Sequence, residues 1–438
     1  MDWSAHTRDM SAYDLGTFKY AESMAVAIRK YGGKDMAVDR LMGKDAWDVW
    51  FSSVQEEKDR GEEATSYIII CSRAPEVFPG QPSPVSYLPL SSGTWKRLVA
   101  SLHVHRSITR SIARRVAIFS TFRRQVQDGP STPQLEITYS ARTSAAFPDD
   151  VALSSAYLPD SKTSFSVFYG CSPDQMADIE TSLRSTGGIV DHPLLCMGIL
   201  GELERKRLVD LAEDLIDKFT VDSDFLENKH WDLNTVKMRE SLAICLRSRT
   251  LLDQIRSFKR QLNKVLKEFD RLRQEESQSA DMFETGLIIQ QRIHDVLDEY
   301  DDKIDECSMM AENLSLAMQT GWSQITREDS IVNTRIAKAN TTIALESQIE
   351  NAQMRSIAVL GMIYLPLSCV GSIFSTTIFN WRPVEGEPVI SNYIWILVAI
   401  SAGLTALTIL AWHLTTSREK IKQSKRSKSF DIELDRIA

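Results

Sequence analysis

The apolar positions of this chain change rhythm along its length. Residues 65–71 (TSYIIIC), 134–142 (QLEITYSAR) and 164–170 (SFSVFYG) are short, β-branched or alternating, which predicts strands. Residues 11–31 and 46–57 read as short helices. Residues 74–89 hold five of the fourteen prolines and read as an irregular loop, as does the proline-bearing stretch 147–159. Ser91 and Ser92 stand as helix caps before residues 96–124, read as a long basic helix with eight Lys or Arg and no Asp or Glu. After Pro193 no proline occurs until Pro366, a strong helical signal, since proline breaks a helix interior. Residues 194–220 and 233–273 carry helical spacing, and residues 275–280 (EESQSA) read as a turn between antiparallel helices.

From residue 282 the spacing sharpens into a heptad seam. Ile293, Leu297, Tyr300, Ile304, Cys307, Ala311, Leu314, Met318, Gly321 and Ile325 alternate steps of four and three, and Val332, Ile336, Ala339 and Ile343 resume it. Such a seam packs against preceding helices of its own chain or against copies of itself. The helix then runs into residues 357–379 (IAVLGMIYLPLSCVGSIFSTTIF), which carry no charge. At 1.5 Å per residue that run spans roughly 34 Å, enough to cross a hydrocarbon core of about 30 Å. A second such run, 393–414, follows a short polar turn, making a two-span hairpin. Unbroken, residues 282–379 would exceed about 140 Å, the length of a stalk standing off a membrane. The expected fold class is therefore mainly α: an N-terminal α/β (α+β) cytosolic head over 1–192, a helical bundle over 193–280, a stalk helix over 281–356, a transmembrane hairpin over 357–414 with its outer turn at 380–392, and a basic tail over 415–438.

Charge orients the hairpin. Arg418, Lys420, Lys422, Lys425, Arg426 and Lys428 follow the second span, and Lys338 and Arg355 precede the first, whereas the turn carries one Arg and two Glu. The basic ends belong on the cytosolic side, so both termini are expected there, and the polar start MDWSAHTRDM has no apolar core of a signal peptide. The net charge of −8 argues against non-specific nucleic-acid binding. The basic stretch 96–124 then reads as a face that meets the acidic remainder of its own chain, a surface for anionic lipid or nucleic acid being the other reading. Six scattered cysteines with no CxxC pair suit a reducing compartment. His103 and His105 lack the spacing of a zinc site and are expected at the surface. With no nucleophile–base constellation and no phosphate loop, the expectation is not an enzyme, and no tightly bound cofactor.

Tyr364-Leu365-Pro366-Leu367-Ser368, continuing through Gly371 and Phe374, resembles the core of the first span in the CorA family of divalent-cation channels. His192-Pro193-Leu194-Leu195 with Glu202-Leu203-Glu204-Arg205-Lys206-Arg207 is similar to fungal members of that superfamily. The resemblance covers roughly residues 190–425 and implies a homopentamer in lipid whose first span lines a pore for magnesium or another divalent cation. By the family's count the pore-facing positions fall on Asn351, Ile357, Leu365, Ser368, Ser372 and Thr377. The family's Gly-Met-Asn filter falls on Ser375-Thr376-Thr377, where this sequence departs from it. That departure opens a second reading, a non-conducting membrane-anchored scaffold or sensor on the same fold.

Leu365, Ser368 and Ser372 are spaced three and four apart, hence on one helix face. Their hydroxyls offer oxygen dipoles to a hydrated cation, and Ile357 and Leu365 form apolar constrictions that gate by dewetting. The plainer reading is that small hydroxyl residues let membrane helices approach. Glu385 and Glu387 in the outer turn would attract cations, or serve only solubility. Asp295, Asp298, Asp302 and Asp305 line one face of the stalk as a candidate regulatory magnesium site, or as a solvated face paired with nearby Lys and Arg.

Overall fold

The computed structural model describes residues 10–31, 36–60, 64–76, 83–126, 134–186, 192–227, 235–275, 280–375, 395–396 and 398–414. They form two compact units, Met1–Trp322 and Ser323–Ala438.

The first unit is built on a mixed seven-stranded sheet. Its strands are β2 (Ala25–Lys30), β3 (Ala37–Leu41), β4 (Ser66–Ser72), β6 (Ile118–Val126), β7 (Gln134–Arg142), β8 (Ala152–Leu158) and β9 (Thr163–Cys171), in the order β3-β2-β4-β9-β8-β7-β6. Only β4 and β9 pair in parallel; the other neighbours are antiparallel. A separate two-stranded ribbon joins β1 (Lys19–Tyr20) and β5 (Tyr87–Leu88). The continuous apolar run of β4 follows from burial on both sides. Ile68 and Ile70 enter one core, while Tyr67, Ile69 and Cys71 enter another.

Short helices cover the second of these cores: α1 (Ala12–Gly16), α2 (Gly43–Arg60), α3 (Ser92–Ser101) and α4 (Ser107–Ala113). Trp47, Trp50 and Phe51 of α2 and Trp95 of α3 fill it. The first core meets α5 (Pro173–Ser185), α6 (Leu195–Glu227), α7 (Thr235–Glu275) and the early part of α8 (Ala280–Phe374). Ser91 caps α3 by accepting from Thr94 N, as its position before the helix predicts. Glycines let the long helices close up. A Cβ on Gly198 of α6 would meet Ile289 Cγ2 of α8 at 2.9 Å, and one on Gly286 of α8 would meet His192 Nε2 at 3.1 Å. The His192 ring stacks on Phe269 of α7 at 5.1 Å, and its Nδ1 accepts from Leu194 N at the start of α6. Burial pushes its pKa down to about 4.

Four local expectations change. Residues 11–31 hold only the short helix α1, and the rest leads through β1 into β2, where Ala25–Ile28 are buried by the sheet on both faces. The basic stretch is not one helix: it divides into α3, α4 and the edge strand β6. Its charges do meet the rest of the chain, Arg106 with Asp14 at 3.4 Å, Arg123 with Glu268 at 2.5 Å and Arg124 with Glu136 at 2.7 Å. Residues 152–158 (ALSSAYL) form β8, because the Ser154 and Ser155 hydroxyls bond to Tyr169 and Ser166 of β9 and are buried without penalty. The histidines are not free surface residues. His105 is buried and bonds Ser107 through Nδ1, and His103, half-buried at φ 53°, lies 3.5 Å from Glu136 and stacks on Phe165.

The run Glu202–Arg207 acts as a joint because successive helical positions point about 100° apart. Arg205 binds Glu202 on its own helix and Glu299 of α8 at 3.0 Å, and Lys206 reaches Asp178 of α5 at 2.8 Å. Arg207 pairs with the buried Glu204 and donates to the backbone oxygens of Ser144, Phe147 and Pro148, between β7 and β8. Burial raises the Glu204 carboxyl, with Arg207 opposing it.

Candidate pore-facing site

Along the first half of α8 the heptad seam is buried in its own chain. Ile293, Leu297, Tyr300, Cys307 and Leu314 are all under 9% exposed, Tyr300 at 0%. From residue 326 to 351 the pattern persists without cover: Val332, Ile336 and Ile343 are 50%, 52% and 61% exposed. The helix continues through a window long and apolar enough to cross a membrane. A second apolar helix, α9 (Val398–Leu414), is shorter.

Counted from Arg327 at about 100° per residue, Ile357, Ser368, Ser372, Leu365 and Asn351 fall at about 120°, 140°, 180°, 200° and 240°. All five are exposed, Ile357 at 68% and Leu365 at 71%. The covered positions of the same stretch lie in another arc: Met362 and Val359, half-buried, and Pro366 and Val370, buried, fall at about 260–340°. On α9 Ser401 is buried at 7%. The sequence reading missed this covered stripe. Its three-four-four spacing was visible, but in a run apolar all round no contrast marks one face from another.

Ser368 Oγ donates to the carbonyl of Leu365 at 3.0 Å, so its proton is held by the helix and the hydroxyl presents lone pairs outward. Asn351 Nδ2 approaches Ser347 Oγ at 3.4 Å. Pro366 has no N–H, which leaves the carbonyl of Met362 without its usual helical donor. Ser375 donates its backbone N–H to Gly371 O at 3.0 Å and is exposed. Thr376, Thr377, Glu385 and Glu387 lie outside the described residues.

The acidic face divides in two. Glu299, Asp301 and Glu306 pair with Arg205, Lys259 and Lys303. Asp295, Asp298, Asp302 and Asp305 are exposed; of these Asp295 accepts from Gln291 at 3.0 Å and lies 3.9 Å from Arg292. Among the described residues no group of three or more His, Cys, Asp or Glu side chains converges as a metal site within one chain.

Solved structures similar to the chain include that of the full-length CmaX protein. The match has 12% identity and a TM-score of 0.38 over 89% of this chain and 96% of that one. A likeness at that level carries no inference about activity. No family model matches the sequence, and no curated protein does.

Proposed function

We infer that copies of this chain assemble around α8 into a CorA-like homo-oligomeric channel, pentameric by the family resemblance, that passes a hydrated divalent cation such as magnesium across a membrane. The observation that carries this reading is the exposed arc of α8 holding Ile357, Leu365, Ser368 and Ser372, set apart from the covered arc of Val359, Pro366 and Val370. An apolar helix with one covered side and one side of outward hydroxyl acceptors suits a wall between lipid or protein and a water-filled path. Hydroxyls carry no fixed charge, so a cation passes without being trapped. Leu365 supplies an apolar constriction that closes by dewetting. On this reading both termini are cytosolic, lipid surrounds the hairpin, and the exposed Asp295, Asp298, Asp302 and Asp305 bind magnesium between subunits.

The test is flux into liposomes holding purified full-length protein and a magnesium-sensitive dye. The expected result is uptake that rises at least about tenfold in Leu365→Ser, where a polar side chain wets the constriction. No uptake of magnesium, cobalt, nickel or zinc in either form overturns the channel. The substitution at Ser375-Thr376-Thr377 favours one rival, a non-conducting scaffold on the same fold. Conduction only after those residues are replaced by Gly-Met-Asn is the outcome that selects it.

A further inference from the structure

Between the buried half of α8 and its charge-free window, every charged side chain is Arg327, Glu328, Asp329, Arg335, Lys338, Glu346, Glu350 or Arg355. All are exposed, and none forms an ion pair among the described residues. Their spacing is locally unfavourable. Arg335 and Lys338 are like charges at i,i+3, and Glu346 and Glu350 at i,i+4, where opposite charges would stabilise a helix.

Around the helix the charges are sorted. From Arg327 at about 0°, the basic residues occupy an arc from about 280° through 0° to 80°, and the acidic residues one from about 100° to 200°. Each arc holds its own apolar stripe. Val332, Ile336, Ala339 and Ile343 fall at about 120–180°, within the acidic arc, and Ile331, Leu345 and Ile349 at about 0–40°, within the basic one. The two stripes are both open to solvent: Ile343, Leu345 and Ile349 are 61%, 61% and 60% exposed.

We propose that these stripes are the two halves of one interface, the acid-flanked stripe of one copy docking on the base-flanked stripe of the next. The proposal rests on the oligomeric reading above and adds which surfaces meet. Like faces repel, acid on acid or base on base, so a two-fold pair through identical stripes is disfavoured. A contact of unlike faces runs head to tail, and it closes as a ring when the rotation between copies returns to the start. The stripes are about 125° apart, near the interior corner of a ring of roughly five to seven copies. A second copy is the fitting occupant because one helix carries both complementary faces with four charges of each sign.

The test measures the mass of full-length protein in detergent across a dilution series. Arg327→Glu, Arg335→Glu and Lys338→Glu together leave only Arg355 positive and make both stripes acid-flanked, and the concentration for half-assembly should rise at least about tenfold. Adding Glu328→Arg, Glu346→Arg and Glu350→Arg to the same chain exchanges the flanks and should restore assembly. The melting of the Met1–Trp322 core should not change in either variant, since all six side chains are exposed. Unaltered assembly in the first variant, or no recovery in the second, overturns the proposal. A second readout uses Cys369→Ala as background, the other five cysteines being buried. Chains with Ile343→Cys mixed with chains with Leu345→Cys should form a disulfide-linked dimer. Linkage of Ile343→Cys to itself without linkage in the mixture overturns the unlike-face contact. Wild-type protein that stays a monomer overturns the channel as well, whereas intact assembly and flux in the charge-reversed chain overturn this interface alone.

Discussion

The two halves of α8 obey the same apolar rhythm and meet opposite fates. As far as Leu314 the seam is closed within the core it shares with α6 and α7, and Tyr300 sits at 0% exposure. Val332, Ile336 and Ile343, of the same residue types, stand 50% exposed or more. A heptad pattern therefore states that a helix has a partner but not whose chain supplies it. The first half is a core that one chain completes. The second has what a core needs except the other side.

This difference sets the scale of each response to mutation. The largest effect is expected at the joint of the buried half. Arg207→Ala leaves the buried Glu204 carboxyl without its cation and the carbonyls of Ser144, Phe147 and Pro148 without their donor, and should cost about 3–5 kcal/mol of stability by chemical denaturation. Loss below about 1 kcal/mol would mean that the joint is not closed in solution.

Acid should act next. His192 has a pKa of about 4, below the ordinary 6.5 of an unfolded histidine. Between these values the unfolded chain binds a proton that the folded one does not. Stability from this group is thus complete above pH 6.5 and is lost as the pH falls to 4, by about 3 kcal/mol in all. Denaturation at stepped pH should show that slope, and His192→Gln should remove it.

Crowding comes third. Gly286→Val would drive a side chain into the His192 ring and should cost about 1–3 kcal/mol. Gly361→Ala, with nothing within 4 Å of its Cβ, should cost nothing and stabilise the helix by up to about 1 kcal/mol.

Smallest is the exposed half taken alone. Ile343→Ala should shift the thermal unfolding of the Met1–Trp322 core by less than about 0.5 kcal/mol. A large shift would mean that Ile343 is covered by its own chain, which would erase the contrast between the halves.

Legibility followed contrast. Residues 134–142 read as a strand and form β7, because alternation and β-branching agree there. The proline-free interval read as long helices, and α6, α7 and α8 fill it. The strand β8 escaped because Ser154 and Ser155 look like loop residues until their partners across the sheet are known. The basic stretch misled for a similar reason: Arg123 and Arg124 stand in the edge strand β6, held by Glu268 and Glu136, which are far away or on another strand. At the candidate site, the exposed arc of Leu365, Ser368 and Ser372 was visible as spacing, but the covered arc of Val359, Pro366 and Val370 needed burial to appear. The charge sorting on α8 was present in the sequence and became meaningful only once the helix was seen to run unbroken and uncovered there.

The central claim is that copies of the same chain supply the missing side of the exposed half. The most direct test is the mass of the purified full-length protein in detergent by native mass spectrometry. The account predicts a closed ring of identical chains with no smaller species dominant at micromolar concentration. A single chain, with Ile336 and Ile343 still open to solvent, would contradict it.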